Sequence, residues 1–154
     1  MTGIALTLSE VPTALFEKHG LSGRVYDRGG SPELQFHFWE SPSVLPVRWE
    51  GQLRLLRWGS KEREGVLPYG GLVSAAQVEA GALARACPEP AVIPANLGHH
   101  KGTWFPIRVG VRGVVLPDAP GGPVVYVRTV PSTNYYRNMT GQEPMMPALV
   151  DQVI

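Results

Sequence analysis

Residues 44–58 read VLPVRWEGQLRLLRW, and this stretch decides the fold class. Two apolar-rich segments, 44–49 and 52–58, flank the pair Glu50-Gly51. A short, glycine-containing connection between two such segments is typical of a β-hairpin. We therefore predict two antiparallel strands joined at Glu50-Gly51.

Further strands are predicted on both sides of this hairpin. Before it, Leu34, Phe36 and Phe38 alternate with polar residues over 33–39, which indicates a strand with one buried face. After it, four apolar segments have the length of strands, at 91–94, 103–109, 111–116 and 123–130. The turn-forming residues 117–122 separate the last two.

The sequence disfavours long helices. Gly and Pro number 18 and 15 of 154 residues and are spread along the sequence, which interrupts long helices. Two helices are predicted, one from Ser9 to Gly20 and one from the capping box Ser74…Gln77 towards Cys87. The sequence thus predicts an α+β fold: one domain over 1–154, with a mostly antiparallel, β-rich, barrel-like core and a few short helices.

The composition excludes several classes of protein for this chain. Lys plus Arg is 14 and Asp plus Glu is 13, so a net charge of +1 disfavours a generally basic nucleic-acid binder and leaves a local basic groove open. The single cysteine, Cys87, excludes an intramolecular disulfide and a cysteine-based zinc cluster, and we expect it to be a small buried residue. No apolar run approaches the ~20 residues of a membrane span and no signal-peptide pattern begins the chain, so we expect a cytoplasmic protein that is not in a membrane.

Motifs for small-molecule chemistry are absent from the sequence. There is no P-loop, no G-x-G-x-x-G and no G-x-S-x-G. The adjacent pair His99-His100 is poorly spaced for one metal ion, and His37 falls on the polar side of its strand, where we expect a surface residue. We predict no metal and no cofactor.

Cations and aromatic rings alternate around the hairpin. Arg48, Arg54 and Arg57 lie close to Trp49 and Trp58. A groove that binds single-stranded nucleic acid uses guanidinium groups to contact phosphates and indole rings to stack on bases. The alternative is that the cations lie on a solvated strand face and the aromatic rings lie in the core.

The order of motifs resembles the SOS-response-associated peptidase (SRAP) family along most of the chain. The family begins M-C-G-R-F-x-L-T and later shows a Y-N-x-A-P segment, R-W-G-L, N-A-R-x-E-T, L-I-P-A-x-G-[FY]-Y-E-W and T-x-x-A-N … H-x-R-M-P-x-x-L. The matching stretches here are 1–9, 36–39 with 45–47, 57–60, 75–80, 92–101 with Trp104, and 129–134 with 145–150.

The resemblance implies a specific chemistry. SRAP proteins bind single-stranded DNA in a basic cleft, and an N-terminal cysteine forms a thiazolidine crosslink with the aldehyde of an abasic site, which links the family to DNA damage and the SOS response. The positions that match its Cys, Asn, Glu and His hold Thr2, Ala75, Lys101 and Glu143, and the family arginine falls at Gln77. The resemblance therefore implies a degenerate active site, and we expect Lys101 and Glu143 to form a charge-swapped ion pair in the former pocket.

Three functions remain open on the sequence. The first is non-covalent binding of single-stranded or damaged DNA, with candidate contacts Arg48, Arg54, Arg57, Trp58, Arg128 and Arg137. The second is an interaction module for a protein partner or a small ligand on the same scaffold. The third is an enzyme that uses Thr2, a histidine, Lys101 or Glu143; a mechanism through the Thr2 amine requires removal of Met1.

Overall fold

The computed structural model describes residues 1–154, apart from the side chain of Ala82. The described strands are β1 (Gly3–Thr7), β2 (Val25–Arg28), β3 (Ser31–His37), β4 (Val44–Trp49), β5 (Gln52–Trp58), β6 (Leu72–Ser74), β7 (Glu89–Pro94), β8 (Leu97–His100), β9 (Thr103–Pro106), β10 (Gly110–Leu116), β11 (Val124–Pro131) and β12 (Met145–Pro147). The described α-helices are α1 (Thr13–Lys18), α2 (Ala75–Val78), α3 (Gly81–Arg85) and α4 (Asn134–Thr140).

The predicted hairpin is present. Strands β4 and β5 pair antiparallel from Val44↔Arg57 to Trp49↔Gln52, and both turn residues, Glu50 and Gly51, have positive φ. Two central residues with positive φ give a turn whose twist matches that of the strands. The register places Leu45, Val47 and Trp49 on the inner face of the sheet.

Five strands close into a barrel. The order β10-β7-β4-β5-β11 is completed by a further pairing of β10 with β11, and β6 and β12 add to β11. Most pairings are antiparallel, but β11 runs parallel to both β5 and β6. The barrel-like, mostly antiparallel α+β fold predicted from the sequence is confirmed.

A second sheet has the order β2-β3-β1-β8-β9. Its inner residues, among them Ile4, Phe36 and Phe105, join the barrel interior in one apolar cluster. A smaller cluster around Tyr126 and Leu83 covers the outside of β11. The outer face of the second sheet is not covered in this way, and it carries one of the two surfaces described below.

The helices are shorter than predicted. The capping box is present, since Ser74 Oγ accepts from Gln77 N and Gln77 Oε1 accepts from Ser74 N. The helix that it begins ends at Val78, and a second one starts at Gly81, where φ is +57°. The helix predicted from Ser9 is a 3₁₀ turn (Leu8–Glu10) followed by α1, because Pro12 precedes its first residue.

Two expectations about single residues are wrong. Cys87 is exposed, with φ of +52°, because it follows the end of α3 in a turn rather than packing in the core. His37 is only 6% exposed, because neighbouring rings cover it. No helix among the described residues is both long and apolar enough to cross a membrane.

Candidate functional site

Of the four positions that the sequence comparison matched to the SRAP reactive residues, Thr2, Lys101 and Glu143 lie at one end of β1 and β8. Thr2 precedes β1, and its Oγ lies 3.3 Å from His99 Nδ1 on the neighbouring strand β8. Lys101 follows β8, and its Nζ lies 3.3 Å from Glu143 Oε1. The ion pair predicted from the sequence is therefore present.

His100, the neighbour of Lys101, is the residue whose side chain enters the interior at this end of β8. Side chains alternate along β8, so His100 points inward and is 5% exposed, whereas Lys101 is in the turn with 71% of its side chain exposed. Glu143 Oε1 therefore lies 3.3 Å both from Nζ of the exposed Lys101 and from Nε2 of the buried His100.

His100 and Glu143 are in contact at the buried end of this cluster. The His100 Nε2 to Glu143 Oε1 distance is 3.3 Å, but the angles are not those of a hydrogen bond. Within the described residues, both ring nitrogens of His100 and the hydroxyl of Tyr136 are buried without hydrogen-bond partners. Buried polar groups without partners are destabilising, so this cluster is held in place by the surrounding packing.

Burial and charge set the protonation of this cluster. The hydrogen bond from Lys101 holds the pKa of Glu143 below its usual value, and burial lowers the pKa of His100. Burial also lowers the pKa of the Met1 α-amino group to about 6 and raises the pKa of Tyr136 to about 12. Near neutral pH Glu143 is therefore a carboxylate, and it accepts a hydrogen bond from Lys101 Nζ.

Ala75 and Gln77 add no reactive group to this cluster. Ala75 is the first residue of α2 and offers only a methyl group. Gln77 is used in the capping box. The structure thus brings Thr2, Lys101 and Glu143 to one end of the second sheet, where no thiol is available.

The six predicted DNA contacts do not share one surface. Trp58 is 2% exposed and its indole donates to the Gly71 carbonyl at 3.0 Å, so its ring is part of the core and is not available to a base.

Three of the predicted arginine contacts lie apart from the others. Arg57 donates to the carbonyls of Pro120 and Gly122. Arg54 lies over the ring of Trp49 and pairs with Glu50. Arg137 is exposed on α4.

Arg48 and Arg128 both lie on the outside of the barrel, together with Arg112, which was not singled out in the sequence. Val92 on β7 is the register partner of both Arg48 on β4 and Arg112 on β10, so the three side chains are on the same outer face. Beyond β10, Arg112 N donates to the Ala148 carbonyl and Ala148 N donates to the Arg128 carbonyl, each at 2.8 Å. We call Arg48, Arg112 and Arg128 the arginine row.

The arginine row keeps its charge available. Among the residues that the structure describes, none of its three guanidinium groups has a carboxylate within 4.0 Å, and Arg48 and Arg112 are exposed. Arg112 and Arg128 also line two shallow cavities of about 190 and 360 Å³. Glu89 lines the smaller one, and its Oε2 accepts from the Trp49 indole.

A second surface covers the outer face of the other sheet. His37, Gly3, His99 and Trp104 are register neighbours across β3, β1, β8 and β9. The rings of His37 and His99 lie 5.3 Å apart over Gly3, and that of Trp104 lies 4.6 Å from His99. Trp39 stacks on His37 at 5.1 Å, and the Arg28 guanidinium lies 4.8 Å from Trp104. We call Trp39, His37, His99 and Trp104 the aromatic platform.

Neither surface could be found from the spacing of residues in the sequence alone. The arginine row is formed by backbone pairing between residues 20 to 44 positions apart in the chain, and the aromatic platform depends on β8, which was not predicted from the sequence. The chain matches no family model, and a search of curated proteins finds no match to it.

Proposed function

We propose that this protein binds single-stranded DNA non-covalently, on a scaffold similar to that of the SRAP family. The observation that carries the proposal is the arginine row, three cations on the outer surface of the barrel that have no ion-pair partner among the described residues. Because the barrel is closed, the row follows its curved outside from β4 across β7 and β10 to β11. A flexible single strand can follow such a curved row with consecutive phosphates.

The chemistry at Thr2 supports non-covalent binding. A thiazolidine needs an amine and a thiol on one residue, and Thr2 supplies a hydroxyl, which is a weak nucleophile without activation. The nearest imidazole, that of His99, has its pKa lowered by burial and lies in contact with the ring of Trp104. We therefore expect no covalent product with an abasic site.

Salt dependence tests the proposal. A labelled single strand with one abasic site is titrated with protein and followed by fluorescence anisotropy from low to moderate salt. Three phosphate contacts predict a slope of log K against log salt near −2, since each contact in a single strand contributes about −0.7. Addition of SDS to the complex is expected to abolish the signal.

Charge-removal variants tie the binding to the arginine row. Arg48→Ala and Arg112→Ala are each expected to weaken binding and to make the slope shallower by about 0.7, because both side chains are exposed and lack structural hydrogen bonds among the described residues. Arg85→Ala removes the same charge from α3 and is the control. Absence of binding at low salt, or equal losses in all three variants, would contradict the proposal.

A further inference from the structure

We propose that the aromatic platform is a nucleobase-stacking subsite, on which bases of the bound single strand stack against Trp39 and Trp104. This inference rests on the proposed function and adds to it a contact with the bases. The arginine row is a site for phosphates and gives no contact to a base. The platform has the complementary chemistry.

The geometry of the platform is that of a stacking surface. Trp39 is stacked on His37 with 24° between the ring planes and is itself 68% exposed, so its outer face is free to receive another planar ring. Trp104 and His99 are half-buried beside it. Aromatic side chains on an open sheet face are what single-strand binding proteins use, because every base has a π-face.

Gly3 is the residue that allows the platform to form. A Cβ built on Gly3 would lie 2.6 Å from His37 Nδ1, closer than atoms can approach. The absence of a side chain on β1 lets the two imidazoles lean towards each other above the strand. The sheet therefore has a continuous line of rings where an ordinary strand would place a side chain between them.

The charge of the platform favours bases over phosphates as its ligand. Arg28 is engaged by Glu33, with Nε and Nη2 donating to the two carboxylate oxygens. Arg24 pairs with Glu40. Burial lowers the pKa of both His37 and His99, so both rings are uncharged near neutral pH. A neutral aromatic surface complements a neutral planar base.

The platform is within reach of a strand held on the arginine row. Val92, which lies between Arg48 and Arg112, and His99 are on consecutive strands, seven residues apart in the chain. Seven residues span at most about 25 Å. A single strand of several nucleotides is long enough to span that distance.

Two strands that differ only in their bases give the test. One is an oligothymidylate, and the other carries tetrahydrofuran residues throughout, which keeps every phosphate and removes every base. We expect wild type to bind the thymidylate strand more tightly, and Trp39→Ala to lose about tenfold in affinity for it with no change for the base-free strand. Trp39→Phe retains a ring and should recover part of the loss. Tyr135→Ala removes an exposed ring on α4 and is the control.

The outcomes separate this inference from the proposed function. If both strands bind equally and Trp39→Ala changes neither, the stacking subsite is refuted and phosphate binding stands. If wild type binds neither strand at low salt, both proposals fail. If the wild type self-associates and Trp39→Ala is monomeric, the platform is an interface between copies of this chain, and the stacking subsite is overturned.

Discussion

The carboxylate of Glu143 contacts the buried imidazole of His100 and the exposed ammonium of Lys101 at the same distance, 3.3 Å. The two contacts differ in what surrounds them. His100 is fixed by the strand that carries it, whereas Lys101 reaches Glu143 from a solvent-exposed turn. Only the first contact is part of the packed structure.

The Lys101 ion pair is therefore expected to contribute little to stability. Lys101 has φ of +45° and Gly102 has φ of +83° in the two-residue turn between β8 and β9. Asn fits such a turn position better than Lys, and exposed ion pairs contribute about 0–1 kcal/mol. We expect Lys101→Asn to change the free energy of unfolding by less than about 1 kcal/mol, measured by urea denaturation. A loss above about 2 kcal/mol would mean that the pair is a structural element.

Acidification is expected to destabilise the protein at pH values well above those at which carboxylates titrate. Burial lowers the pKa of His37, His99 and His100, and that of the Met1 amine to about 6. The unfolded chain then binds more protons than the folded one between the folded and unfolded pKa values, so stability falls as the pH is lowered through about 8 to 5.5.

Urea denaturation at several pH values checks this dependence. His100→Gln should show a smaller loss of stability between pH 8 and 5.5 than wild type. His19→Gln replaces an exposed histidine outside the cluster and should follow the wild type. Stability that is constant or that rises on acidification would contradict the prediction.

Gly3→Ala is expected to disturb the aromatic platform. The new methyl group would lie 2.6 Å from His37 Nδ1, and His37 is enclosed by Trp39, His99 and Trp104. Overpacking of this kind costs about 1–3 kcal/mol. In the matched variant Gly23→Ala the added Cβ has no atom within 4 Å, and a change within about 0.5 kcal/mol is expected. Thermal or urea unfolding of both variants measures the difference, and equal effects would show that the glycine is not required.

Trp58→Phe is expected to reduce stability without reducing DNA affinity. The indole is buried and its N–H donates to the Gly71 carbonyl, which also accepts from Val127 N, so Phe leaves a small void and removes one of the two hydrogen bonds of that carbonyl. We expect a loss of about 2 kcal/mol in the free energy of unfolding. The anisotropy titration, corrected for the folded fraction, should match wild type. A specific loss of affinity would restore Trp58 to the binding surface.

The sequence was sufficient for local features and insufficient for long-range ones. The hairpin at Glu50-Gly51 and the cap at Ser74 are determined by neighbouring residues, and both were predicted. The first strand, Gly3–Thr7, was missed because GIALT is short and lacks alternation. Strand β8, which reads LGHH, has no apolar pattern at all, so its alternation could not assign His100 to the inside and His99 to the outside.

The same limit applies to the candidate contacts. Trp58 lies near cations in the sequence and Trp39 does not, but the barrel buries Trp58, whereas Trp39 lies in the turn after β3 and is exposed. Arg112 was missed because its partners, Arg48 and Arg128, become neighbours only through the pairing of separate strands.

The backbone of Ala148 lies between Arg112 and Arg128 and bonds to both. Strands β10 and β11 pair directly up to Gly113↔Val127, and beyond that point the backbone of Ala148 separates them. The 145–149 segment therefore acts as a wedge that opens this seam of the barrel and sets how far apart the backbones of Arg112 and Arg128 lie. A chain without this segment would lose both hydrogen bonds, and its two strands could pair one step further, which would bring the two arginines closer together.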